Sequence, residues 1–165
     1  MVNQLDKYWD VSSWPQRYQS SSFDANYILV NGKRPNQYGK HWTKQDVVRF
    51  MKWLRDHSET VVSDEMVLYR GTSDTPFPYW NNENSTINRN VVSTSESERI
   101  AKEFSNEGKG YLHILYLSPG CLILDMKPYY KNHAIRREKE VLLLPGHKFT
   151  FLKKYGNRYH WMVTR

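Results

Sequence analysis

The sequence predicts an α+β protein in which helices come first and short antiparallel strands follow. Apolar residues recur at helical spacing in the N-terminal third, whereas from Glu65 onward short apolar runs alternate with tight turns. This order favours two packed antiparallel sheets with N-terminal helices. The 165 residues have the length of one ordinary domain. We expect a mostly helical part over residues 1–64 and a β-rich core over 65–165.

Two helices are predicted before residue 65. Thr43, with Asp46 three positions further on, is typical of a helix N-terminus, and apolar residues follow at helical spacing: Val47, Met51 and Leu54. This pattern predicts a helix over 43–60. A weaker pattern predicts a helix over 23–30 that ends near Asn31-Gly32.

The β-rich part is predicted to contain one more helix and seven strands. The segment from Ser95 to Glu98 resembles a capping box. It predicts a helix that ends near Asn106 and has one face formed by Ile100, Ala101 and Phe104. The predicted strands cover 66–69, 90–93, 111–117, 122–125, 140–144, 148–153 and 159–164. Tight turns are expected between the later strands, at Pro145-Gly146 and Gly156-Asn157.

Composition and charge exclude some classes of protein and leave others open. No apolar run is long enough to span a membrane, and the N-terminus lacks the apolar run of a secretory signal. We therefore expect a protein of the cytoplasm, either of its own cell or of an infected host cell. We also expect it to be a monomer. A secreted effector whose signal has been removed would look the same. The net charge of +7 favours an anionic partner: a dinucleotide, a nucleic acid or an acidic protein face.

Disulfide and metal chemistry are not expected. Cys121 is the single cysteine, so the chain can form no internal disulfide and no cysteine zinc cluster. Its apolar neighbours over 122–124 predict a small buried side chain rather than a nucleophile. The six histidines show no metal-ligand spacing.

Two polar motifs stand at predicted strand ends. Arg70 offers a rigid fork of donors suited to phosphate, and Gly71 lets a ligand approach the backbone closely. A structural ion pair of Arg70 is the alternative. The second motif, Ser93-Thr94-Ser95, comes where a strand gives way to a helix. Ser95 would cap that helix, whereas Ser93 would orient a catalytic carboxylate, and the two interpretations are compatible.

A third motif, Glu138-Lys139-Glu140, begins an apolar strand. Residues two apart on a strand face the same side, so both carboxylates are expected to point into one space, about 6–7 Å apart. Such pairs often mark acid/base or cation-stabilising chemistry. Taken alone, the motif favours a solvated strand end.

The order of these motifs along residues 65–155 resembles the arginine, serine-threonine-serine, glutamate-x-glutamate pattern of the toxin-like mono-ADP-ribosyltransferases. Small phage-encoded effectors of similar length and the catalytic domain of the clostridial binary toxins are members of this family. Phe104 stands where many members place an aromatic ring against nicotinamide, and Asn90 matches a position that contacts NAD. The resemblance implies the family's split core of two antiparallel sheets, and an enzyme that transfers ADP-ribose from NAD.

The resemblance also implies a role for each motif. Glu140 would stabilise the positive charge on the ribose as the bond to nicotinamide breaks, and Ser93 would hold Glu140 in place. Arg70 would bind the pyrophosphate of NAD. The NAD site would be completed by Gly71, Asn90, Thr94, Ser95 and Phe104. Glu138 would face the acceptor, an arginine of a target protein, with nucleic-acid-associated proteins among the candidates. No metal or other cofactor is implied.

The chain departs from the family pattern around these motifs. Ile135 occupies a position where many relatives have an aromatic residue, and Tyr129 or Tyr130 could supply that ring. The stretch after the helix lacks the arginine that some toxins place near the phosphates, and Lys109 is the candidate substitute.

Two arginines, Arg136 and Arg137, directly precede Glu138. They could raise the acidity of the carboxyl groups, attract an acidic partner or be modified themselves.

Three other functions are compatible with the sequence. With water as the acceptor, the protein would be an NAD glycohydrolase, and with nucleic acid as the acceptor, it would be a nucleic-acid-directed ADP-ribosyltransferase. A basic nucleic-acid-binding module without catalysis would explain the charge and the aromatic residues. That module gives no reason for two glutamates that share a face beside a basic loop.

Overall fold

The computed structural model describes residues 14–32, 42–73, 85–106, 108–130 and 137–165. Within these ranges the chain forms three α-helices, nine strands and a 3-10 turn at Lys127–Tyr129. The helices are α1 Trp14–Asn31, α2 Lys44–His57 and α3 Glu98–Phe104. The strands are β1 Glu59–Thr60, β2 Val67–Thr72, β3 Ser85–Ile87, β4 Val92–Ser95, β5 Tyr111–Leu117, β6 Leu122–Asp125, β7 Glu140–Leu143, β8 Lys148–Tyr155 and β9 Arg158–Thr164.

Helix α1 is longer than the predicted helix over 23–30, because it already begins at Trp14. Trp14 and Tyr18 extend its buried stripe toward the N-terminus. Both rings pack against Phe50 of α2, with centroid distances of 6.2 and 5.1 Å. The aromatic contacts between the two helices therefore explain the N-terminal half of α1, which the polar sequence around residue 20 obscures.

Helix α2 has the predicted capping box, in which the Thr43 and Asp46 side chains bond each other's backbone N–H groups. It ends at His57 rather than at residue 60, because Glu59–Thr60 forms a strand that pairs with β6. Among the described residues, no helix combines the length and apolar character needed to cross a membrane.

Helix α3 begins two residues later than the predicted capping box implies. Ser97 is its N-cap and accepts a hydrogen bond from the Ile100 backbone N–H, so the assignment of Ser95 as the N-cap is wrong. Ser95 instead belongs to β4, where its backbone is paired in the sheet. Ile100 is buried as predicted, whereas Phe104 is 56% exposed at the C-terminal end of the helix.

The nine strands form one mixed sheet in the order β1-β6-β7-β4-β2-β5-β9-β8-β3, which confirms the α+β class. The first four strands and the last five strands join through a single register pair, Tyr69 with Ser95. The two predicted sheets are therefore two halves of one hydrogen-bonded sheet. All neighbours are antiparallel except β5 and β9, which run parallel because the β8–β9 hairpin returns beside β5.

The two halves pack face to face, so a hydrophobic core lies between them. Leu143 of the first half and Leu115 of the second are fully buried in the same cluster. Cys121 lies in this cluster with no exposed surface, and burial raises the pKa of its thiol to about 11. The prediction of a small buried side chain at Cys121 is therefore confirmed.

The helices cover the outer faces of the two halves. Helices α1 and α2 pack on the first half through a cluster that includes Phe50, Leu124 and Leu142. Helix α3 packs on the second half through Ala101 and Leu112. The four layers bring the ends of β2, β4 and β7 together with α3, and the candidate site lies at this junction.

Candidate active site

A cleft of about 340 Å³ lies where β2, β4 and β7 meet α3. The three sequence motifs, far apart along the chain, meet at this cleft. Its lining residues are Tyr69, Arg70, Gly71, Thr72, Ser73, Ser93, Thr94, Ser95, Ala101, Phe104, Glu138 and Glu140. Of the predicted site residues, only Asn90 is not among them.

Glu140, the first residue of β7, is held by two hydroxyl groups. The residue is 8% exposed. The Ser93 hydroxyl donates to Oε1, and the Tyr130 hydroxyl donates to Oε2. Ser93 reaches Glu140 because Ser93 pairs with Leu142 across β4 and β7, which places it diagonally opposite Glu140 on the same face. The predicted contact between Ser93 and the carboxylate is therefore present.

Tyr130 is a site residue whose sequence context gives no sign of a contact with Glu140. It follows the 3-10 turn and is only 1% exposed. Burial, and then the charge of Glu140, raises the pKa of the Tyr130 hydroxyl, which therefore stays protonated and donates. From the sequence, Tyr130 is only one of two candidates for the aromatic ring that many relatives have at the position of Ile135. No local pattern in the sequence indicates that its hydroxyl meets a carboxylate ten positions later.

Arg70 places a cation beside this carboxylate. Its guanidinium donates from Nη1 to the Ser93 carbonyl oxygen over 2.6 Å. Burial lowers the pKa of Arg70, whereas Tyr18 and Glu140 oppose this shift, and an arginine stays protonated in any case. The half-buried cation is therefore tied to the same strand that positions Glu140.

His113 lies next to Arg70 in the register of β2 and β5. Burial, and then the charge of Arg70, lowers the pKa of His113 to about 3, so the imidazole is neutral. Trp161 Nε1 donates to its Nδ1 over 3.1 Å. His113 of β5 therefore adds no second positive charge beside Arg70.

Glu138 lines the cleft from a turn and not, as strand alternation predicted, from a β-strand. It lies in a turn before β7, and Lys139 has a left-handed backbone with φ of 49°. Two hydrogen bonds from the end of β4 and the residue after it hold the turn: Ser95 Oγ donates to the Glu138 carbonyl over 2.7 Å, and Glu96 N donates to the Lys139 carbonyl over 3.2 Å. The prediction that both carboxylates point into one space is therefore confirmed, but its stated reason, the alternation of a β-strand, is wrong.

The Glu138 side chain is half-buried, and its electrostatic setting differs from that of a surface carboxylate. Burial, and then the neighbouring charge of Glu140, raises its pKa above the usual value. A carboxylate in this setting is ready to accept a proton or to pair with a cation.

The structure explains why residue 71 is a glycine, which the sequence did not show. A Cβ at this position would lie 1.8 Å from the Ala101 carbonyl oxygen of α3. The absence of a side chain therefore lets α3 pack directly on β2, which brings Phe104 to the rim of the cleft. Contact of Gly71 with NAD stays a prediction.

The remaining predicted NAD contacts involve groups that already bond to the protein. Thr94 Oγ1 donates to the Val141 carbonyl over 2.6 Å, and Ser95 Oγ bonds the turn before β7. Asn90 lies outside the cleft lining, and its side-chain amide donates to the Val91 carbonyl over 3.2 Å. The NAD contacts of Thr94, Ser95 and Asn90 stay predictions.

Three residues considered near the site do not line the cleft. Tyr129 packs its ring on Trp53 of α2, at a centroid distance of 5.3 Å, and Lys109 and Arg137 are exposed. Ile135 and Arg136 fall outside the described residues. Within the described ranges, no group of three or more histidine, cysteine, aspartate or glutamate side chains is arranged to hold a metal ion.

Solved mono-ADP-ribosyltransferases have the same fold as this chain. Exoenzyme S from Pseudomonas aeruginosa, solved with human 14-3-3 protein beta and carba-NAD, matches with a TM-score of 0.61 and 16% identity, over 94% of this chain and 74% of its own. BECa, an ADP-ribosylating toxin of a C. perfringens binary enterotoxin solved with NADH, matches with a TM-score of 0.62 and 15% identity, over 96% of this chain and 44% of its own.

A eukaryotic structure matches as well. A variant of the mono-ADP-ribosyltransferase ART2.2, solved with NAD, has a TM-score of 0.61 and 20% identity, over 92% of this chain and 64% of its own. No protein-family model matches the sequence, and no curated protein matches it. At these identities the structures show the fold, so the resemblance to toxin-like ADP-ribosyltransferases is confirmed as a shared fold.

Proposed function

We propose that the protein is a mono-ADP-ribosyltransferase that transfers ADP-ribose from NAD to an arginine of a target protein and releases nicotinamide. The observation that carries the proposal is the buried carboxylate of Glu140. Two hydroxyls fix it, and it lies beside Arg70 at a cleft. The ADP-ribosyltransferase fold of the chain supports the same conclusion.

Cleavage of the bond between nicotinamide and ribose creates positive charge on the ribose, as in glycoside hydrolysis. A fixed carboxylate next to that ribose stabilises the charge without reorganising during the reaction. Glu140 meets this requirement because Ser93 and Tyr130 hold both of its oxygens.

The other cleft residues fit the remaining parts of NAD. The Arg70 guanidinium supplies the positive charge that a pyrophosphate needs. The exposed ring of Phe104 at the cleft rim offers an aromatic face for the nicotinamide.

Glu138 supports arginine as the acceptor. A guanidinium pairs with a carboxylate through parallel hydrogen bonds, and Glu138 lies at the cleft with a raised pKa, so it can also take a proton from the attacking nitrogen. One matched structure, the ADP-ribosyltransferase Vis, was solved with agmatine, which itself carries a guanidinium.

Separate substitutions test these two roles. Glu140→Gln is expected to lower both nicotinamide release and transfer by about 10²- to 10³-fold. Glu138→Gln is expected to lower transfer to agmatine or protein while nicotinamide release continues, because water replaces the arginine. Glu103→Gln is the matched control, since Glu103 is an exposed glutamate of α3 that pairs with Arg99 outside the cleft lining.

The products decide among the alternatives. Labelled NAD incubated with a host lysate should yield a labelled product that protease destroys and nuclease does not. Nicotinamide release without any labelled macromolecule would make the protein an NAD glycohydrolase. Normal NAD turnover by Glu140→Gln would refute the catalytic role of Glu140.

A further inference from the structure

We propose that Tyr130 is a second positioning residue for Glu140, holding the carboxylate oxygen that Ser93 does not hold. This inference rests on the proposed function, because it assigns Tyr130 a role in NAD cleavage. Tyr130 acts through Glu140 and lies outside the residues that line the cleft.

The two hydroxyls constrain Glu140 in complementary ways. Ser93 holds Oε1 from β4, which is the strand next to Glu140 in the sheet. Tyr130 holds Oε2 from the segment that follows β6. One hydrogen bond leaves a carboxylate able to rotate about its terminal bond, whereas a donor on each oxygen fixes its plane. Each carboxylate oxygen can accept a second hydrogen bond, so the contacts leave capacity for a ribose hydroxyl.

The surroundings of Tyr130 make it a rigid support. Its ring is buried in the cluster that joins α1 and α2 to the first half of the sheet. Its backbone N–H donates to the Lys127 carbonyl and closes the 3-10 turn. A second buried tyrosine, Tyr18 of α1, belongs to the same cluster and is also held, by a hydrogen bond from Asn26. The helical layer therefore packs against the tyrosine that orients Glu140.

The need to fill the core explains the ring of Tyr130 but not its hydroxyl group. Phenylalanine would fill the same apolar volume without bringing a polar group into it, and a buried hydroxyl is costly unless it is bonded. In this structure the hydroxyl of Tyr130 is bonded to the carboxylate that the reaction requires. A purely structural role would predict no effect of this hydroxyl on the rate of catalysis beyond any loss of stability.

The test is Tyr130→Phe in the full chain, measured by nicotinamide release from NAD and by thermal unfolding. Loss of a hydrogen bond to a charged group is expected to lower kcat about ten- to hundredfold, with the KM for NAD within about threefold of wild type. Tyr116→Phe is the matched control. It removes the hydroxyl of a second, partly buried tyrosine, which is bonded to His160 over 2.9 Å and lies outside the cleft lining, and it should leave kcat unchanged.

The possible results separate this inference from the proposed function. If the wild type turns over NAD and Tyr130→Phe keeps a kcat within about twofold of wild type, the positioning role is wrong. A raised KM at unchanged kcat would also overturn it, because that result indicates a contact with NAD itself. Failure of the wild type to cleave NAD would instead refute the proposed function.

A second measurement tests the contact without NAD. Tyr130→Phe is compared in the wild type and in Glu140→Gln by urea unfolding. If the hydroxyl is committed to the carboxylate, its removal has different effects on stability in the two backgrounds. Equal effects would overturn the proposed pairing of Tyr130 with Glu140.

Discussion

Replacing Gly71 with alanine tests whether the cleft depends on the close approach of α3 to β2. The added Cβ would lie 1.8 Å from the Ala101 carbonyl oxygen and 2.8 Å from the Ser105 nitrogen. Ordinary van der Waals contact begins at 3.4 Å, so the added Cβ would overlap the Ala101 carbonyl oxygen severely. Both partners are backbone atoms, and no side-chain rotation can relieve the overlap. Helix α3 must therefore move away from the strand.

Overpacking of this kind costs about 1–3 kcal/mol, and more where the backbone itself must shift. A cost of about 3 kcal/mol lowers the Tm of a chain of this size by about 6–12 °C. The shift of α3 also carries Phe104 away from the cleft rim, so the KM for NAD should rise. Thermal unfolding followed by circular dichroism measures the first effect, and initial rates of nicotinamide release measure the second.

Gly32→Ala provides the control. Gly32 has a positive φ of 67° but nothing within 4 Å of an added Cβ. Its substitution should cost about 1–2 kcal/mol in backbone strain and leave the KM for NAD unchanged. A Gly71→Ala protein whose Tm lies within about 2 °C of wild type, with normal KM, would refute the packing argument.

Three further outcomes are expected. Transfer to agmatine should fall as the pH drops through the raised pKa of Glu138, because protonation removes the negative charge that pairs with the acceptor. The measurement is the ratio of transfer to nicotinamide release as a function of pH, and in Glu138→Gln this ratio should show no such fall at low pH. Phe104→Ala should raise the KM for NAD about three- to tenfold with little change in Tm, since the ring is more than half exposed; an unchanged KM would exclude stacking. Thr43→Ala should remove the N-cap of α2 and lower stability by about 1 kcal/mol, with NAD turnover unaffected.

Local features of the fold follow from the sequence. The Thr43 capping box, the strands Tyr111–Leu117 and Leu122–Asp125, and the turn at Pro145-Gly146 are present where the residue patterns predict them. Each depends on side chains within one turn or one strand, so the spacing of neighbours is sufficient to indicate it. The limits of β4 and α3 are less predictable, because Ser95 is drawn into the sheet by its pairing with Glu140.

The same distinction between local sequence patterns and tertiary contacts applies to the site. The order of Arg70, Ser93 and Glu140 along the chain resembles the pattern of the toxin-like ADP-ribosyltransferases, and that resemblance indicated the fold and the residues of the cleft. The tertiary structure alone decided how they meet. The hydroxyl of Ser93 reaches Glu140 across 47 positions, and that of Tyr130 across ten, through strand register and core packing that no local pattern records. It also decided that Glu138 faces the cleft from a turn, because the left-handed backbone of Lys139 overrides the alternation of a strand.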